Sequence, residues 1–122
     1  MLFRSSRRAP YIFLIYGALR DKAVDEIAGL LFPHASAVIL TSPAQSRAIS
    51  APVLAEMTGH HARRAEVVSD PIMAFERALE LASPDDVIFV TGSLYLVGDL
   101  RRYWMSRAAG RTAVSESARP NP

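Results

Sequence analysis

The sequence has no cysteine and no long apolar run, and each absence removes a class of function, while the single lysine, Lys22, draws attention to itself among 13 arginines. Without thiols there is no disulfide framework, no cysteine nucleophile and no cysteine-ligated metal centre, as suits a reducing compartment. Apolar stretches such as Tyr11–Tyr16 fall far short of the roughly 20 residues that span a bilayer. That same stretch is too short for a signal-peptide core and has no small-residue cleavage site, so the cytoplasm is the expected location. Also missing are a Gly-rich phosphate loop, a G-x-G-x-x-G after the first strand and a G-x-S-x-G elbow, so no complete ATP or dinucleotide site is expected within the chain.

What remains is a 122-residue chain that is 50% apolar and 21% charged. A single domain of this size buries about two thirds of its unfolded surface and needs no staple. The net charge of +2 conceals a division. Arg4, Arg7 and Arg8 at one end and Arg101, Arg102, Arg107, Arg111 and Arg119 against Glu116 at the other total +7, which leaves −5 between them. Because the basic excess sits at the ends and not on a folded face, nucleic-acid binding is not expected.

Strand-like runs recur at Tyr11–Tyr16, Ala37–Thr41, Ala65–Val68 and Val87–Thr91, each followed by a segment with helical spacing of apolar residues. Val24, Ile27, Ala28, Leu30 and Leu31 form the first, Val53, Leu54 and Met57 the second, and Met73, Phe75, Leu79 and Ala82 the third. The βα unit repeats about every 25 residues, as expected of a parallel α/β sheet. Apolar strands buried on both faces and joined by crossover helices predict a Rossmann-like, three-layer α/β sandwich with a mostly parallel sheet. Asp70-Pro71 reads as an N-cap followed by proline, Gly59 as a helix end, and Pro84-Asp85-Asp86 as the turn before the last strand. Leu94–Met105 reads as a closing helix. Residues 1–9 and 107–122 are expected to be flexible ends flanking a domain over residues 10–106.

Ligands of open parallel sheets sit outside the carboxyl ends of the strands, where loops lead into helix N-termini. Of the four loops at that edge, two carry chemistry. The first brings together Arg20, Asp21 and Lys22; a cation ahead of a helix is explained either by an anionic ligand or by a solvated cluster with Asp21 as N-cap. The last carries Gly92 and Ser93. Glycine admits a ligand close to the backbone, and Ser93 either offers its hydroxyl and N–H to an anion or caps the helix. If their strands are neighbours, Lys22 and Ser93 share an anion pocket. Arg47, after the second strand, is a weaker phosphate candidate. His34, His60 and His61 lack the spacing of a metal site, so no metal is assigned to them.

Three segments resemble one family. Phe13–Lys22 (FLIYGALRDK), Ser42–Ala48 (SPAQSRA) and above all Val87–Asp99 (VIFVTGSLYLVGD) are similar to the C-terminal domain of folylpolyglutamate synthase/dihydrofolate synthase, in the Mur ligase superfamily. The likeness covers residues 11–104. It implies a Rossmann-like domain that binds incoming L-glutamate while an N-terminal ATPase domain of the same polypeptide supplies the phosphate loop, ATP and Mg²⁺. By that resemblance Lys22 and the Gly92-Ser93-Leu94-Tyr95 turn hold the glutamate carboxylate, Asp21 shapes the loop, and Arg47 lies toward the interdomain cleft. The implied reaction is amide formation through an acyl phosphate of a folate or dihydropteroate. Two matches are altered: the family's DKD reads Asp21-Lys22-Ala23, and its GSLYLVGE ends in Asp99. The family's DGAHNP-type loop does not occur in Met1–Pro10, so the chain reads as one domain of a larger ligase, with no catalytic residue of its own and no activity alone. The rival reading is a non-catalytic α/β module that binds a small anion or a partner protein through the same edge. A phosphoacceptor domain fits poorly, since its lysine should follow the last strand.

Overall fold

The structure is a computed structural model that describes residues 9–20 and 22–118, with side-chain surroundings described through residue 110. Its strands are β1 (Ile12–Tyr16), β2 (Ala37–Leu40), β3 (Ala65–Val67) and β4 (Val87–Thr91), and its helices are α1 (Val24–Leu31), α2 (Ala51–Thr58), α3 (Pro71–Leu81) and α4 (Leu94–Ala118). Short 3-10 turns, Phe32–His34 and Gly59–His61, follow α1 and α2.

All strand pairings are parallel, in the order β3-β2-β1-β4. The pleat of β1 sends alternate residues to opposite layers. Leu14 and Tyr16 join Val24, Ala28, Phe32, Val38, Leu40 and Leu54 in the core beneath α1 and α2. Phe13 and Ile15 join Ile39, Phe75, Ala78, Leu96 and Leu100 beneath α3 and α4. The expected three-layer sandwich is therefore present, with β1 at its centre.

Local signals act where the sequence places them. The Asp70 carboxylate accepts from the Ile72 and Met73 amides at 2.9 and 3.1 Å, with Pro71 at the first helical position, so α3 starts there. Ser50 caps α2 in the same manner, and Gly59 forms its C-cap. Asp86 closes the turn before β4 by accepting from the Ser83 amide at 2.8 Å and, across the sheet, from the Tyr11 amide at 3.0 Å.

Three expectations are corrected. β4 is not buried on both faces: Phe89 is 55% exposed and Val87 39% exposed, because β4 is an edge strand and the core beneath α1 and α2 takes in β1 and β2 but no residue of β4. The residue capping α1 is Ala23, with no side-chain hydrogen bond, and not Asp21, which lies outside the described residues. Finally, α4 passes the expected helix end at Met105 and continues to Ala118. Arg107 is tied to Glu76 of α3 at 3.2 Å, and Ala108 and Ala109 offer no resistance to helix. Of the expected flexible ends, residues 1–8 and 119–122 lie outside the described residues.

Candidate functional site

β1 and β4 are hydrogen-bonded neighbours, with Tyr16 in register with Thr91, so their loops emerge side by side at the carboxyl edge of the sheet. Here the connections diverge. The chain leaves β1 toward α1 on one face and β4 toward α4 on the other, which makes the β1–β4 boundary the switch point of the sheet, where open α/β sheets bind ligands.

The two loops meet backbone to backbone. The Gly17 amide donates to the Thr91 carbonyl at 3.4 Å. Gly92 has φ +110°, and a Cβ there would lie 2.2 Å from the Gly17 carbonyl oxygen and 3.0 Å from the Tyr16 ring. Gly17 is itself enclosed, since a Cβ on it would come within 2.8 Å of the Thr41 carbonyl oxygen and 3.3 Å of Leu96. Glycine is needed at both positions because two main chains pass there at a separation that leaves no room for a side chain.

Ser93 is buried, and its Oγ accepts from the amides of Tyr95 at 3.1 Å and Leu96 at 3.4 Å. It is thus the cap of α4. Capping consumes acceptor capacity only, and a serine hydroxyl keeps its one donor hydrogen. Among the described residues, the amides of Ser93 and Leu94 have no hydrogen-bond partner. Leu94 is 89% and Tyr95 52% exposed, so this helix head is open to solvent. The site therefore presents main-chain N–H groups and the positive end of the α4 dipole, with the hydroxyl beside them.

Lys22 is exposed, two residues ahead of α1, and its side chain has no hydrogen bond or ion pair among the described residues. No bond joins it to Ser93; what the structure brings together is the loops that carry them. Arg47 is exposed and belongs to the adjoining loop after β2. Its carbonyl accepts from the Arg20 amide at 2.9 Å, and the Ile49 amide donates to the Ala18 carbonyl at 2.9 Å, which knits the loops after β1 and β2 together. The Ser42 amide donates to the Ser69 carbonyl at 3.1 Å and extends the same seam to β3.

A cleft of about 400 Å³ lies at the opposite, amino-terminal edge, bordered by Tyr11, Arg64, Glu66 and Asp86. It is remote from the switch point, and Asp86 there is already engaged in the turn before β4. Sequence reasoning missed the seam between the first two loops, which rests on main-chain bonds that no residue type announces.

Known proteins agree with this architecture. The solved Escherichia coli FolC, in complex with DHPP and ADP, superposes with a TM-score of 0.74 over 85% of this chain and 24% of its own, at 18% identity, a likeness of fold alone. A bifunctional folylpolyglutamate synthase/dihydrofolate synthase from Yersinia pestis, complexed with AMPPNP and Mn ion, gives 0.70 at 25% identity over 79% of this chain and 22% of its own. The Mycobacterium tuberculosis folylpolyglutamate synthase complexed with ADP and AMPPCP gives 0.70 at 26% identity over 81% and 25%. A probable bifunctional folylpolyglutamate synthase/dihydropteroate synthase of Haloferax volcanii is 30% identical over 102 residues, 83% of this chain. The chain spans 12% of the length of that curated relative. The family model of the Mur ligase glutamate ligase domain matches residues 2–94, from before β1 to the first residue of α4. With the parallel sheet, its switch point and the β4–α4 turn all in place, the chain belongs to the Mur ligase glutamate ligase domain family.

Proposed function

We propose that this domain binds the incoming L-glutamate in an ATP-dependent, cytoplasmic folylpolyglutamate or dihydrofolate synthase. The observation that carries the proposal is the adjacency of β1 and β4, which sets the Lys22 loop and the Gly92-Ser93-Leu94-Tyr95 turn at one switch point. A glutamate carboxylate at the head of α4 accepts from the Ser93 and Leu94 amides and the Ser93 hydroxyl, and Lys22 approaches it from the facing loop. Gly92 keeps the backbone close enough for this, Tyr95 borders the pocket, and Arg47 faces the cleft toward the rest of the polypeptide. Asp21 supports the lysine loop.

The proposed reaction has two steps. The γ-phosphoryl group of ATP passes to a carboxylate of a folate or dihydropteroate, giving an acyl phosphate and ADP. The glutamate amine then attacks the acyl carbon, forming the amide and expelling phosphate, with its proton going to a base. The sequence has no Gly-rich phosphate loop, so ATP and Mg²⁺ are assigned to an N-terminal ATPase domain of the same polypeptide. This chain contributes binding and orientation, the entropic part of catalysis. Relatives crystallised with ADP, with AMPPCP and with AMPPNP and Mn ion support the use of nucleotide and metal by the complete enzyme.

The test is Lys22→Ala in the complete ligase. A hydrogen bond to a charged group contributes about 1.5–3 kcal/mol, so KM for L-glutamate should rise roughly tenfold to a hundredfold while KM for ATP stays constant. Lys22→Arg should recover part of the loss. An unchanged KM for glutamate would leave the non-catalytic anion- or partner-binding module as the better description. The isolated chain should release no phosphate from ATP when glutamate and a folate are added.

A further inference from the structure

On the outer face of the α1–α2 layer, away from the α4 turn, the fold assembles a second group of chemically capable side chains. Asp25 stands in the first turn of α1, and His60 and His61 stand in the 3-10 turn after α2. The His61 Nε2 lies 3.0 Å and the His60 Nε2 3.9 Å from the same Asp25 carboxylate oxygen. One ligand atom from each of the three residues falls within 4.8 Å of the others.

We propose that Asp25, His60 and His61 form a binding site for a borderline divalent metal of the Zn²⁺ class. Zinc bonds to imidazole nitrogen at about 2.0–2.1 Å and to carboxylate oxygen at about 2.0–2.2 Å, so ligand atoms around one ion sit about 3–3.5 Å apart. The His61–Asp25 separation falls in that range, the His60–Asp25 separation lies about 0.4 Å beyond it and all three atoms are within 4.8 Å of one another. His60 and Asp25, with side chains 64% and 69% exposed, face solvent into which they can adjust. The two imidazoles are already side by side, with ring centroids 3.9 Å apart, and both address one carboxylate.

The scaffold makes room for this arrangement. Gly29 lies one helical turn after Asp25 on the same face of α1, and a Cβ there would stand 3.3 Å from His61 Cε1. The glycine lets the His61 ring lie against the helix, which keeps that ring the least exposed of the three side chains. The donor set also selects the ion. Two imidazoles and a single carboxylate suit Zn²⁺, Co²⁺ or Ni²⁺, whereas Mg²⁺ and Ca²⁺ prefer oxygen throughout. This site is therefore distinct from the Mg²⁺ assigned to the nucleotide. Three protein ligands leave coordination positions open, and the ion links α1 to the end of α2. Histidine spacing alone does not reveal the group, because the third ligand lies 36 residues before His61.

The test is titration of the tag-free, metal-stripped 122-residue chain with ZnCl₂ at pH 7.5 by calorimetry, with Co²⁺ absorption and the imidazole NMR signals read in parallel. The expected result is one saturable site that shifts the His60 and His61 signals, with MgCl₂ producing no effect. His60→Ala and Asp25→Asn, both at exposed positions, should each weaken binding roughly tenfold or more while urea unfolding without metal confirms that each variant is folded. His34→Ala, outside the group, should not. Absence of a saturable site, or affinity indifferent to both His60→Ala and Asp25→Asn, overturns the proposal.

Discussion

Gly92→Ala isolates the contact on which the switch point depends. The residue adopts φ +110°, where an L side chain is strained, and sparsely populated backbone regions of this kind cost about 1–3 kcal/mol. The added Cβ would also stand 2.2 Å from the Gly17 carbonyl oxygen, which is main chain held by β1 and unable to rotate away. Relieving such a contact means moving one strand end, an overpacking cost of about 1–3 kcal/mol. The sum is about 2–6 kcal/mol, set against a typical domain stability of about 5–15 kcal/mol. With a urea slope of about 2 kcal/mol/M, the middle of the usual range, the unfolding midpoint should fall by roughly 1–3 M. Gly59→Ala is the control. That glycine has φ −58° and ψ −29°, and an added methyl would meet nothing within 4 Å, so alanine should stabilise by about 0.4–1 kcal/mol through the unfolded chain. A Gly92→Ala protein that unfolds within about 0.5 kcal/mol of the parent would refute the argument that these loops touch through their backbones.

Two further substitutions probe the scaffold. Asp70→Ala removes the acceptor for two amides at the head of α3 and should cost about 0.5–2 kcal/mol in urea unfolding, with Asp70→Asn retaining most of the stability. Tyr16→Phe should stabilise the protein by up to about 1–3 kcal/mol, because the Tyr16 hydroxyl is buried with no hydrogen-bond partner among the described residues. Burial also pushes the Tyr16 phenol up from its ordinary pKa of 10.0, so above pH 10 the unfolded chain sheds a proton that the fold retains. The phenol's contribution is fully present below pH 10 and is lost as the pH rises further, so the advantage of Tyr16→Phe should widen in alkali. A constant difference between pH 8 and pH 11 would contradict the assignment.

The layered fold was legible because its signals are local and agree with one another. Runs such as Val87–Thr91 exclude helix, apolar spacing after each run excludes strand, and Asp70-Pro71 and Gly59 punctuate the alternation. Exposure was not legible: Val87–Thr91 has the composition of a central strand, and only the strand order shows that β4 lies at an edge. The candidate anion edge was readable as a set of loops, since the carboxyl-end rule needs only element order. Its geometry was not, because the adjacency of the Lys22 and Ser93 loops depends on β4 pairing with β1 and not with β3. Ser93 shows how two readings of one residue coexist: the sequence left a choice between cap and anion donor, and the structure uses its oxygen lone pairs for the cap. The Asp25, His60 and His61 group was invisible for the opposite reason, its members being distant in sequence and joined only by helix packing.

The pairing of β1 with β4 also sets an order of assembly. β1 meets β2 after a single crossover, but its other neighbour begins at Val87, and the Tyr11–Asp86 bond spans 75 residues. Parallel pairing at such separation pays its loop-closure entropy before any contact compensates, which makes it a slow event in folding. Of the four strands of this sheet, β1 is therefore made first and acquires its second partner last. Until then, the hydrogen-bonding groups of Ile12–Tyr16 that later face β4 remain an open template. The Gly17–Gly92 contact can form only when that pairing closes, so the candidate site is completed by the last step of sheet assembly.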